Sequence, residues 1–70
     1  MITEEVKIST EFIKLDQFLK FCGLAETGGH AKEIILEGAV SVNGQLCVQR
    51  GKKLVPGDVV TVDEYRIVVK

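Results

Sequence analysis

The chain has 70 residues, nine of them Lys or Arg and ten Asp or Glu, for a formal net charge of −1. A domain this small buries only about 60% of its unfolded surface, which argues against a deep substrate or cofactor pocket. The 46% hydrophobic content excludes a disordered tail, and with no Trp, one Tyr and three Phe the core has to be aliphatic.

Along the chain, Glu5 to Ser9 alternates polar and apolar residues at Val6 and Ile8, which predicts a short edge strand. Leu15, Phe18, Leu19 and Cys22 then fall at i, i+3, i+4 and i+7, one face of a helix, with Gly23 as its stop. Lys14, Gln17 and Lys20 fall on the other side. Leu24 to Glu26 connects to a second helix, with Thr27 as N-cap, Ala31, Ile34 and Ile35 as its apolar face and Gly38 as its stop.

Strands follow. Val40 and Val42 flank Ser41, Asn43-Gly44 is a hairpin signal because a type I′ turn needs positive φ at both positions, and Leu46 and Val48 continue the return strand. Pro56-Gly57-Asp58 marks a turn, Val59 to Val62 a strand, Asp63-Glu64 another turn, and Tyr65 to Val69 the last strand. The sum is an α+β fold, a two-helix hairpin packed on one face of a small, mostly antiparallel sheet. It forms a single domain over 1–70 with no linker or repeat.

Two places stand out as sites for phosphate. Gly28 and Gly29 open the second helix, where free N–H groups and the helix dipole favour anions; equally, two glycines can serve only a tight connection. Arg50, Lys52 and Lys53 form a basic loop, and no acid lies between Gly38 and Pro56. The functional reading is a flexible loop touching phosphates, and the alternative is solvated charge. Lys14, Gln17 and Lys20 on the first helix and Lys32 on the second are either the helical part of the same face or ordinary wet surface. His30 is either a phosphate contact whose charge varies near neutral pH or a solvated ring. Phe12 and Phe21 are assigned to the core in preference to base stacking, and Tyr65 to structure.

No Ser, Cys or carboxylate is arranged with His30 as a triad, and Gly28-Gly29 lacks the continuation of a nucleotide-binding loop, so no enzyme, cofactor or metal site is expected. Cys22 and Cys47 have no CxxC partner and are expected as buried, reduced core residues. No signal peptide or membrane span is read, which makes the cytosol the expected compartment.

The order of these pieces resembles the S-four domain, or alpha-L RNA-binding motif. The resemblance covers about Phe12 to Val62 and rests on several matches. These are Lys14-Leu15-Asp16 with Leu19, Ala31 followed by Ile34 or Ile35, the run Gly38-x-Val40-x-Val42-Asn43-Gly44, and Gly57-Asp58-x-Val60. More narrowly the chain is similar to short stand-alone bacterial members through Phe12 to Asp16, Thr27 to Lys32 and Arg50 to Lys53.

The resemblance implies a monomeric module that recognises structured RNA, either ribosomal or tRNA-like, by phosphate and shape, in ribosome assembly or translation. Its RNA face would comprise Lys14, Gln17, Lys20, Gly28, Gly29, His30, Lys32, Arg50, Lys52 and Lys53. Many members carry Ser/Thr-Arg where this chain has Gly28-Gly29, so one arginine contact is missing, with His30 and Lys32 as candidates to supply the charge. That gap and the net charge leave a second reading, a protein-interaction module of the same fold.

Overall fold

Gly23 and Gly38 end the two helices of the computed structural model, which describes residues 1–70. The helices are α1 (Leu15–Phe21) and α2 (Gly28–Leu36); the strands, in chain order, are β1 (Ile2–Val6), β2 (Ile13–Lys14), β3 (Val40–Val42), β4 (Gln45–Leu46), β5 (Lys53–Leu54), β6 (Val59–Val62) and β7 (Tyr65–Val69). Both glycines lie at positive φ, 82° and 81°. After α1, Gly23 N–H donates to Lys20 O and Leu24 N–H to Leu19 O; after α2, Gly38 N–H donates to Ile35 O and Ala39 N–H to Ile34 O. This double closure satisfies carbonyls that a helix end leaves open, and it requires the left-handed backbone that glycine adopts without strain.

Five strands form one sheet in the order β1-β7-β6-β3-β4. Its neighbours are antiparallel except β1 and β7, which run parallel with Ile2 opposite Tyr65 and Val6 opposite Val69. Alternation sends Val40 and Val42, Val60 and Val62, and Ile67 and Val69 into the core. Against them pack Leu15, Phe18 and Leu19 of α1 and Ala31 and Ile35 of α2. Ile8, Ala25 and Leu54 complete a cluster of fourteen buried residues, none of them polar. Phe18 is the one aromatic ring fully inside; its truncation to Ala would cost about 3–5 kcal/mol.

The α+β arrangement read from the sequence is the one observed, with four local corrections. The first strand starts at Ile2 rather than Glu5, because the backbone of β7 supplies its partner whatever the side chains are; Ile8, beyond its end, still donates its N–H to Lys70 O. The return strand of the Asn43-Gly44 hairpin is only Gln45–Leu46, and Leu46 and Val48 are exposed. Phe12 and Phe21 are not core residues but exposed, at 39% and 61%. Cys22 and Cys47 are half-buried free thiols at the core's margin. For both aromatics, the buried cluster is already made up of Phe18 and the aliphatic side chains of the helices and the sheet.

Candidate nucleic-acid interface

The start of α1 has no cap of its own. Lys14 occupies the N-cap position and its side chain accepts no bond. Two of the open donors are met from 37 and 34 residues further along the chain: Leu15 N–H donates to Lys52 O at 2.8 Å and Asp16 N–H to Arg50 O at 3.1 Å. Next to them β2 and β5 pair as a separate antiparallel ribbon, with Ile13 opposite Leu54 and Lys14 opposite Lys53. Leu54, fully buried, anchors the ribbon in the core.

The segment expected as a flexible basic loop is therefore tied down at both ends of its basic run. Lys53 lies in a strand, Lys52 N–H closes a turn onto Gln49 O, and the carbonyls of Arg50 and Lys52 serve as the helix cap. The backbone is fixed while the charged side chains of Arg50, Lys52 and Lys53 stay exposed. Lys53 Nζ sits 4.8 Å from the centre of the Phe12 ring, a cation–π contact.

At the start of α2, Thr27 Oγ1 accepts the His30 N–H at 3.0 Å, and His30 Nδ1 accepts the Glu26 N–H at 3.2 Å. This is a reciprocal cap in which histidine reaches back past the N-cap. It commits one ring nitrogen of His30 to structure and leaves Nε2 for an outside partner. Neither glycine of the pair is required by backbone conformation, since neither has positive φ. A Cβ at Gly28 would meet nothing within 4 Å, and one at Gly29 only Thr27 Oγ1 at 3.8 Å. The tight-connection explanation of the pair thus has no steric basis.

All ten residues named from the sequence are exposed. A groove of about 590 Å³ brings Gln17 and Lys20 of α1 together with Gly28 of α2, and Ile13, Asp16 and Phe21 complete its lining. A second groove, about 300 Å³, adds Lys14 and Phe12 and shares Ile13, Gln17 and Phe21 with the first. Lys52 lines a third depression, beside the Asn43-Gly44 hairpin, with Leu46 and Val48. Arg50, Lys53, Gly29, His30 and Lys32 line none of these. The molecule's ion pair, Lys70 Nζ to Glu5 at 2.8 Å, involves none of the candidate cations.

Sequence reasoning missed the two exposed aromatics and the ribbon that sets Lys14 beside Lys53. Alternation could not reveal strands two residues long. The surface carries no cluster of three or more His, Cys, Asp or Glu placed to hold a metal ion. Burial, with a smaller contribution from Glu4, pushes the Cys22 thiol up to about 11, which makes it a poor nucleophile. No helix is long and apolar enough to cross a membrane.

Comparison with known proteins agrees with this architecture. The S4 domain model matches residues 6–70. The probable ribosome maturation protein RlbA of Bacillus subtilis (strain 168) is 42% identical over 60 residues, which span 86% of this chain and 84% of that protein. With a matched model across nearly its whole length and a relative of similar size, the chain belongs to the S4 domain family, the RNA-binding family that its sequence resembles.

Proposed function

We propose that this protein is a non-catalytic RNA-binding module that grips structured RNA, ribosomal in origin, through phosphate and shape, and that it acts in ribosome maturation. The observation that carries the reading is the stapling of Arg50, Lys52 and Lys53 to the start of α1, beside Lys14. The backbones that carry four cations from two distant segments are bonded to one another, and none of the four is in an ion pair. A local field of this kind attracts phosphate whatever the net charge of the molecule. The backbone of double-stranded RNA is what a small domain can reach, because its deep major groove hides the base edges. The name of the relative, a ribosome maturation protein, supports the same cellular setting. The core closes within one chain, which supports a monomer acting alone.

The test is fluorescence anisotropy against a structured ribosomal RNA fragment over a salt series. Binding should weaken steeply with salt and collapse in Lys52→Glu/Lys53→Glu; no binding at low salt would overturn the reading. A second reading, a protein-docking module, draws on exposed Leu46 and Val48 beside edge strand β4. Under that reading the same charge reversal leaves the interaction nearly unchanged.

A further inference from the structure

We propose that Phe21 is a stacking seat for one unpaired nucleobase, with Phe12 as a second wall, so that the RNA target carries an unpaired nucleotide beside a duplex. This rests on the RNA-binding reading above and narrows it.

Phe21 is 61% exposed on a seven-residue helix whose other aromatic, Phe18, is fully buried. A lone exposed apolar residue needs no explanation, but the surroundings of this one are specific. Phe21, Ile13 and Gln17 line both grooves, so the ring borders two open spaces at once. On the α2 side the larger groove meets Gly28, where no side chain intrudes and a Cβ would find open space. Phe12, in the smaller groove, is braced by Lys53 over its ring.

Charge separates a base from a phosphate here. Asp16 lines the larger groove, and a carboxylate there disfavours an anionic group while tolerating a neutral ring. Lys20 in the same groove and Lys14 in the neighbouring one flank it, placed for the phosphates on either side of that nucleotide. Gln17, common to both grooves, offers an amide donor and acceptor to a base edge. In a continuous duplex every base is already stacked and paired, so only an unpaired nucleotide presents a free face to an aromatic side chain.

The experiment compares two hairpins that differ by one bulged nucleotide, titrated against the full chain and its variants. Phe21→Ala should weaken binding of the bulged RNA by about five- to 140-fold, the range for losing one base–aromatic stack, and leave the fully paired RNA unchanged. Phe21→Trp should retain affinity for the bulged RNA, and its indole emission, the only one in a chain without tryptophan, should be quenched by that RNA and not by the paired one. Equal binding of both RNAs by Phe21→Ala and wild type, with Lys52→Glu/Lys53→Glu still abolishing binding, would overturn the stacking seat and leave the RNA-binding reading standing. An equal loss on both RNAs would overturn it too. Failure of the wild type to bind either hairpin at low salt would overturn both.

Discussion

Lys14 stands directly opposite Lys53 in the β2–β5 ribbon. Like charges in that position repel, at a cost of about 0.2–1 kcal/mol. A fold selected only for stability gains nothing from the pair, whereas a surface that binds polyanions gains a local concentration of positive charge. Lys14→Glu should therefore raise the thermal midpoint by about 1–8 °C while weakening RNA binding and lowering the salt slope by at least about 0.9. Calorimetry and anisotropy on the same preparation check the opposite signs; a variant that loses stability and keeps affinity contradicts the assignment.

Asn43 and Asp58 hold the far end of the sheet. Asn43 Nδ2 donates to Asp58 Oδ1 at 3.1 Å, Asn43 Oδ1 accepts the Val59 N–H, and Asp58 Oδ2 accepts the Val55 N–H. Asn43 also lies at φ 53°. Asn43→Ala should cost about 2 kcal/mol, from lost hydrogen bonds and left-handed strain. Denaturant melts of Asn43→Ala, Asp58→Ala and the double variant should show non-additivity of at least about 0.5 kcal/mol.

Gly28→Ala should fold at least as stably as wild type, because the backbone tolerates a Cβ and the unfolded chain loses freedom; the expected gain is up to about 1 kcal/mol. If RNA approaches the start of α2 closely, the added methyl group weakens binding even so. A stability gain with unchanged affinity would remove Gly28 from the interface.

The Cys22 thiol, raised from 9.0 to about 11 by burial and then by Glu4, should alkylate about 100-fold more slowly at pH 8 than an ordinary thiol, since only the thiolate reacts. The thiol is favoured in the folded state, so this contribution to stability is complete below pH 9 and fades as pH rises toward 11. Mass spectrometry of iodoacetamide-treated protein, native and in urea, measures the difference.

Both helices, their glycine stops, the Asn43-Gly44 hairpin and the strands at Val59–Val62 and Tyr65–Val69 were legible because each rests on short-range pattern or turn chemistry. The ribbon was not. Ile13 and Leu54 meet across forty residues, through strands too short to show a period. With it went the reason why Arg50 and Lys52 are rigidly placed, since their role as a cap for α1 is performed by carbonyls, which every residue type carries. Phe21 was misassigned for a different reason. A chain poor in aromatics suggests that each ring is needed inside, but Phe18 and thirteen aliphatic residues make up the buried cluster without it.

The strand order has a consequence for how the chain comes to be folded. β7 is an interior strand, between β1 and β6, yet of the five strands of this sheet it comes last in chain order. Until Tyr65–Val69 has left the ribosome's exit tunnel, β1 has no neighbour and β6 offers an open edge. The helical hairpin can form early from local contacts, but the sheet beneath it waits for the final strand. Removing Tyr65–Val69 would therefore cut β1 off from β6, β3 and β4 instead of trimming one margin.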